Sequence, residues 1–305
     1  RARELAGGEA RHGSCGLGIG ETTVYDLACY QRARAGDLIG NFTVPGDVPL
    51  GARAPRARDL HDRQAVIRSL DALLAYASPL IEQVDDPEGL LDFGTVESLA
   101  TELYDVASHL RTMDGPQPVY AALRDGTVIF EGSQGVLLDG NKGFHPHTTW
   151  STTTPLRLRM QLRAAGFEPY VLGLTRSYAT RHGAGPMPTE AGEVTVPQLH
   201  NGTEIFQGAW RQGHLDLTAL RYAVAAAGGV DGVAVSHLDA IQDEVAVSWG
   251  DGIDTSLLDL APIHLSPVRT RLAEIAAPVH APTGGTAGLL DYITRFTEAP
   301  GVLTA

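Results

Sequence analysis

The sequence predicts an α/β fold in which a mainly parallel central sheet is flanked by helices. Short apolar runs that are typical of buried strands lie at residues 127–130, 170–174 and 230–235. Segments with apolar residues at helical spacing lie between and after these runs, and this alternation is typical of α/β proteins. A chain of 305 residues can bury a large core, and we expect a single α/β domain over residues 1–305.

Helices are predicted where apolar residues recur at every third or fourth position. The predicted helices cover residues 63–84, 96–113, 155–165, 214–227, 267–275 and 287–297. Residues 43–60 are rich in proline, glycine and arginine, and this composition predicts a connecting loop.

The composition is that of a globular protein, with 43% hydrophobic and 19% charged residues. A formal net charge of −13 argues against general binding to nucleic acid polymers or to membrane surfaces, although a local basic site for a phosphate is compatible with it. Cys15 and Cys29 form neither a disulfide framework nor a metal-finger spacing, so we expect a reducing compartment, the cytoplasm. No signal peptide is visible, and no apolar run approaches the roughly 18 residues of a membrane span.

The most informative segment is residues 127–154, TVIFEGSQGVLLDGNKGFHPHTTWSTTT. Two glycine turns, at residues 131–135 and 140–143, allow the backbone to approach a ligand closely. A run of hydroxyl side chains follows at residues 148–154, before a predicted helix. Exposed N–H groups and neutral donors suit an anion or a phosphate; the alternative is an ordinary polar loop between a strand and a helix.

Five strings in this sequence resemble signatures of the adenylosuccinate synthetases, and they occur in the family's order over most of the chain. They are GSCGLGIG at residues 13–20, FEGSQGVLLD at 130–139, RSYATRHGAGPMPTE at 176–190, GHLD at 213–216 and SHLD at 236–239. The resemblance implies the family's fold, in which the two predicted helices at residues 63–84 and 96–113 would form a helical insertion at residues 62–113. Residues 301–304 resemble the strand that precedes the family's base-binding turn.

The resemblance implies a set of residues that contact a mononucleotide. These residues are Ser14, Cys15, Gln134, Thr149 and Arg181. At Cys15 the family has threonine, so a good hydrogen-bond donor is replaced by a weak one. Arg181 would pair with a phosphate bidentately, or it would anchor its own loop through a salt bridge. Asp139 is a candidate structural carboxylate that ties down its loop.

Residues 200–213, HNGTEIFQGAWRQG, depart most from the family pattern, which has a threonine-rich loop followed by several arginines that grip aspartate. The chain keeps Thr203 and Arg211 as amino-acid-binding candidates. Gly208 and Trp210 stand at the positions of two arginines. A similar loop occurs in the phage-type branch that makes 2-aminoadenylosuccinate, so we expect a divergent member of the family.

The resemblance also implies a triphosphate co-substrate, GTP or ATP, with Mg²⁺ as cofactor. His237 and Asp239 match the family's KLD segment, in which the aspartate contacts the guanine base. His145 and His147 flank Pro146, but two histidines without a third ligand are weak support for a metal site, so no metal ligand is predicted.

The activity implied is that of a C–N ligase in purine biosynthesis, acting on a 6-oxopurine mononucleotide (IMP, GMP or dGMP) and an aspartate-like amino acid, as a homodimer. The family's GDEGKGK and GHNxGH strings, which hold the catalytic base and acid, do not occur here. We therefore expect the sequence to be part of a larger enzyme. The alternatives are a non-catalytic nucleotide-binding homologue and a natural-product C–N ligase on the same fold.

Overall fold

The computed structural model describes residues 1–8, 12–40, 42–86, 89, 91–259 and 266–304. It divides into two compact units, Arg1–Ile129 and Phe130–Ala305, and each is described by itself. The expectation of a single domain with an insertion at residues 62–113 stays a prediction. Within the described residues, no helix is long and apolar enough to cross a membrane.

The first unit is mainly helical. Its elements are α1 (Ala2–Gly7), α2 (Ile19–Gln31), β1 (Leu38–Ile39), β2 (Phe42–Thr43), α3 (Arg63–Ile81), α4 (Val96–Ser108) and α5 (Gln117–Asp125). The helices predicted at residues 63–84 and 96–113 are confirmed as α3 and α4, with earlier ends. Asp62 caps α3 by accepting the N–H groups of Gln64 and Ala65, and Thr95 caps α4.

The second unit contains a three-stranded parallel sheet. Its elements are α6 (Leu156–Ala164), β3 (Leu172–Arg176), β4 (Tyr178–His182), β5 (Trp210–His214), α7 (Leu217–Ala226), β6 (Gly232–Ser236), β7 (Glu244–Ser248), α8 (Ser266–Glu274), β8 (Val279–Pro282), α9 (Gly285–Thr297) and β9 (Val302–Thr304). The parallel sheet has the order β3–β6–β9, whereas β4–β5 and β7–β8 are antiparallel pairs. The predicted α/β class is therefore confirmed.

The core of the second unit lies between the parallel sheet and the helices α7 and α9. Val233 and Val235 of β6 are buried against Leu217 of α7 and against Leu289 and Ile293 of α9. These contacts explain why residues 230–235 have the apolar composition of a strand, since alternate side chains of β6 enter the core.

One strand prediction is wrong. Residues 127–130 form no strand, and Ile129 is 87% exposed. An apolar run becomes a strand only when a neighbouring strand completes its backbone hydrogen bonds, and no such neighbour lies beside it among the described residues. The end of the segment that departs most from the family pattern forms β5, Trp210–His214, which pairs with β4.

Gly213 of β5 is packed tightly against a neighbouring segment of backbone. A Cβ atom at this position would lie 1.9 Å from the carbonyl oxygen of Thr189 and 2.8 Å from the Cα of Glu190. We expect Gly213→Ala to lower the free energy of unfolding by about 3 kcal/mol, because backbone atoms cannot move aside as a flexible side chain can. Gly202→Ala is the matched control, since a Cβ at Gly202 meets nothing within 4 Å. Urea unfolding measures both, and equal stabilities would contradict the prediction.

Candidate functional site

The loop that contains the most informative sequence segment is held by a buried carboxylate. Asp139 is 1% exposed and accepts the backbone N–H groups of Asn141 and Lys142 at 2.9 Å and of Thr153 at 2.8 Å. One carboxylate thus joins a glycine turn to the hydroxyl-rich end of the loop. The structural role considered for Asp139 is confirmed.

The carbonyl groups of the same loop are held by side chains from distant helices. Arg269 of α8 donates Nη1 to the carbonyl of Asn141 at 3.1 Å, and Thr270 donates its hydroxyl to the carbonyl of His145 at 2.6 Å. Tyr222 of α7 donates to the carbonyl of Lys142. Sequence reasoning missed these contacts, because their partners are far apart in the chain. The loop is therefore fixed through both its N–H and its carbonyl groups.

Two of the predicted mononucleotide residues meet on this loop. The Ser151 hydroxyl lies 3.3 Å from the side-chain oxygen of Gln134 and 3.4 Å from the hydroxyl of Thr149. The backbone of Thr149 is fixed by a 2.8 Å hydrogen bond from its N–H to the carbonyl of Leu138. The result is a cluster of one amide and two hydroxyls, all neutral and half-buried.

Arg181 of β4 contacts the same loop. Its Nη2 atom donates to the carbonyl of His147 at 3.4 Å, and its Nε atom donates to the carbonyl of Ala184 at 2.8 Å. Burial, with the nearby charge of Arg211, lowers the pKa of Arg181 to about 10. Within the described part of the chain, no carboxylate forms an ion pair with Arg181. Among the described residues, its positive charge therefore has no carboxylate partner.

Arg211 lies directly opposite Arg181 in the β4–β5 pair, but its guanidinium is occupied. Nε donates to Glu190 at 2.9 Å, Nη2 donates to the other oxygen of that carboxylate, and Nη1 donates to the carbonyls of Gly183 and Gly185. The hydrogen bond from Arg211 lowers the pKa of Glu190. Arg211 thus anchors the loop after β4, while Thr203 is exposed. The amino-acid-binding role of both residues stays a prediction.

The residues predicted to contact the triphosphate base follow β6. His237 has a left-handed backbone with φ of 58°, its Nδ1 atom lies 2.9 Å from the Ser236 hydroxyl, and its ring meets that of Tyr178 edge-on at 5.6 Å. Asp239 is exposed and forms no hydrogen bond or ion pair with the described residues. Both lie beyond the carboxyl end of a parallel strand, where ligands bind in open α/β sheets.

Ser14 and Cys15 lie in the first unit. The buried carboxylate of Glu4 accepts the backbone N–H groups of Gly13 at 2.9 Å and Ser14 at 3.1 Å, and the Ser14 hydroxyl accepts the N–H of Gly16. The side chain of Cys15 is a free, exposed thiol. Three backbone donors of this glycine loop are thus already bonded, and the nucleotide contacts of Ser14 and Cys15 stay predictions.

Magnesium ligands are not assigned. In the ranges that the structure describes, no three His, Cys, Asp or Glu side chains come close enough together to hold a metal ion.

Comparisons with known proteins place the chain in a family. The family model for adenylosuccinate synthetase matches residues 1–270. An adenylosuccinate synthetase of Anaeromyxobacter dehalogenans is 30% identical over 313 aligned residues, which cover 98% of this chain and 64% of that protein. One from Aromatoleum aromaticum is 32% identical over 95% of this chain and 69% of that protein. The chain thus spans about two thirds of the length of these relatives.

A solved structure agrees at the level of the fold. A fully ligated adenylosuccinate synthetase from Plasmodium falciparum superposes with a TM-score of 0.58 at 19% identity, over 81% of this chain and 62% of that one. A cyanophage S-2L succinoaminodeoxyadenylate synthetase gives a TM-score of only 0.31, so membership of the phage-type branch stays a prediction. The sequence matches establish that this chain belongs to the adenylosuccinate synthetase family.

Proposed function

We propose that this chain forms the mononucleotide-binding part of a purine-nucleotide ligase of the adenylosuccinate synthetase type. In this reaction a triphosphate, GTP or ATP, phosphorylates the 6-oxygen of a 6-oxopurine mononucleotide. The amine of aspartate or a related amino acid then displaces the phosphate and forms the C–N bond. Mg²⁺, when bound to the triphosphate, would neutralise its developing charge.

The observation that carries this proposal is that Arg181, which has no carboxylate partner among the described residues, contacts at His147 the loop that also carries Gln134 and Thr149. A guanidinium without a carboxylate partner is costly to bury, and an anion offsets that cost. The hydroxyl and amide groups on the same loop can orient a phosphate or a ribose. This combination supports a phosphate monoester such as IMP, GMP or dGMP as the ligand.

The remaining predicted contacts belong to the same proposal. The free carboxylate of Asp239 can accept two parallel N–H groups of a guanine base, which would favour GTP. His237 would lie beside that base. Homodimer formation and a cytoplasmic location stay predictions.

Titration calorimetry with IMP, GMP and dGMP tests the mononucleotide site. We expect Arg181→Gln to weaken binding at least tenfold through loss of the charge, and Gln134→Ala to weaken it by about 1–3 kcal/mol through loss of a buried partner. Arg221→Gln, at an exposed arginine of α7, is the charge-matched control. Undiminished affinity in Arg181→Gln and Gln134→Ala would remove this site from the proposal.

Phosphate release distinguishes a ligase from its alternative. The assay combines each mononucleotide with GTP or ATP, Mg²⁺ and aspartate, using the full-length protein. Phosphate release that requires all components supports the ligase. Mononucleotide binding without release in any combination would support a non-catalytic nucleotide-binding homologue.

A further inference from the structure

The two faces of the parallel sheet β3–β6–β9 are covered to different degrees. Val233 and Val235 of β6 lie on the core face, where the helices α7 and α9 pack on them. Leu174 of β3, Ala234 of β6 and Leu303 of β9 are paired in register across the sheet. Because neighbouring side chains alternate along a strand, these three residues lie on the face opposite the core.

The face opposite the core is apolar and open to solvent. Leu174 is 77% exposed, Leu303 is 53% exposed and Leu172 is 42% exposed. Tyr170 extends the same surface, because a Cβ atom at Gly232, the partner of Leu172 in β6, would lie 2.5 Å from its hydroxyl oxygen. We name this surface the open face, and it comprises Tyr170, Leu172, Leu174, Ala234 and Leu303.

An exposed apolar face is unusual for a parallel sheet, whose two faces are normally both covered by helices. In this sheet, the connections from β3 to β6 and from β6 to β9 contain α7 and α9, and both helices pack on the core face. Right-handed connections that cross a sheet in one direction place their helices on the same face. A helix on the open face therefore has to belong to a connection that runs in the opposite direction.

The edge of the sheet at β3 leaves room for such a connection. In the described residues, β3 has one strand neighbour in its sheet, β6, so a further strand can pair with its other edge. The helix before β3 does not cover the open face, since Arg159 of α6 donates Nη1 to the carbonyl of Gly228, just after α7. The A. dehalogenans relative is matched over only 64% of its length, so it contains polypeptide with no counterpart in these 305 residues.

We propose that the open face is a docking surface for an amphipathic helix, supplied by polypeptide that corresponds to the unmatched part of the A. dehalogenans relative. The contact is apolar, because the five residues of the open face carry no charge, and removing their side chains from water drives the association. A helix suits this surface better than a second sheet, since parallel sheets pack against helices. The proposal rests on the sheet and on family membership, and it is independent of the nucleotide chemistry proposed above.

Reassembly from separate polypeptides tests this surface without any substrate. The probes are the segments of the A. dehalogenans relative that lie outside its match to this chain. We expect at least one of them to bind the 305-residue chain in titration calorimetry, and Leu174→Gln to weaken this binding at least tenfold. Leu199→Gln is the matched control, because Leu199 is 94% exposed but lies outside the sheet, and it should change the affinity less than twofold. Since both leucines are exposed, neither variant should shift the midpoint of urea unfolding.

Hydrogen–deuterium exchange gives a second measurement that does not depend on the variants. When the same segments are fused to this chain, the amides of β3 and β9 should exchange at least tenfold more slowly than in the chain alone. Unchanged exchange in these strands would overturn the proposal, and so would equal losses of affinity in Leu174→Gln and Leu199→Gln.

Two controls separate this proposal from other outcomes. The matched part of the A. dehalogenans relative is the positive control for reassembly, and its binding to the probes without binding by this chain would overturn the proposal. A dimer of the 305-residue chain in sedimentation velocity that Leu174→Gln dissociates would assign the open face to a second copy instead. Reassembly without phosphate release would remove the proposed function and leave the docking surface in place.

Discussion

Replacing Asp139 by alanine is expected to lower the free energy of unfolding by about 3–5 kcal/mol, because three backbone N–H groups lose their only charged acceptor. The carboxylate is buried, so water cannot fully replace it. The loop that carries Gln134 and Thr149 should lose its fixed conformation, and mononucleotide binding should weaken with it. Urea unfolding and calorimetry on the same samples measure the two effects.

Two further variants separate the carboxylate's role from a general effect of losing a charge. Asp139→Asn keeps one acceptor oxygen and should lose roughly half as much stability as Asp139→Ala. Asp254→Ala removes an exposed carboxylate that accepts a single backbone N–H, from Ser256, and should lie within about 1 kcal/mol of the unsubstituted chain. A stable Asp139→Ala chain with full mononucleotide affinity would show that the loop is held by other contacts.

Asp216→Ala is the second substitution with a large expected effect. Asp216 is buried at the start of α7, where one carboxylate oxygen accepts the N–H of Ala219 at 2.9 Å and the other accepts the indole N–H of Trp249 at 2.8 Å. Alanine removes a helix cap and leaves a buried indole donor without a partner, so we expect a loss of about 2–4 kcal/mol. Thr95→Ala, which removes only the cap of α4, should cost about 1 kcal/mol. Equal losses in the two variants would rule out a contribution from Trp249.

The effect of Asp216→Ala should depend on pH in a defined direction. Burial raises the pKa of Asp216, although the hydrogen bonds from Ala219 and Trp249 lower it in part. The folded chain therefore holds this proton more tightly than the unfolded chain, and the resulting stabilisation is complete below the unfolded pKa. It is lost as pH rises through the folded pKa. The stability difference between the unsubstituted chain and Asp216→Ala should shrink over that interval.

The apolar runs at residues 170–174 and 230–235 predicted β3 and β6, displaced by one or two residues, because their side chains pack in a sheet. The equally apolar run at 127–130 formed no strand, because strand formation depends on a pairing partner elsewhere in the chain. Periodicity measures how well a segment suits burial and carries no information about such a partner. The strands β4, β7 and β8 were missed. Polar residues interrupt β4 and β7, and β8 has only four residues.

The residues of the candidate site were predictable where they belong to a short continuous sequence motif. Gln134 and Thr149 were found by resemblance, and Asp139 was found as a carboxylate within a glycine-rich turn. Arg269, Tyr222 and Thr270 were not, because their partners lie on a loop that is distant in sequence. The different environments of Arg176 and Arg211 were equally hidden, since only folding brings Glu190 to Arg211, whereas no carboxylate of the described residues forms an ion pair with Arg176.

The alternating faces of β4 and β5 also constrain how such a chain can change during evolution. Insertions or deletions in the connection at residues 183–209 leave every side chain of β4 and β5 on its present face, as long as Arg181 stays paired with Arg211. A slip of one residue in either strand would move every side chain of that strand to the opposite face. In β5, such a slip would bring Trp210 or Gln212 to the face that carries Arg181 and move Arg211 to the other face. Homologues should therefore differ in length within the connection, and an alignment of their sequences should show no gaps within β4 or β5.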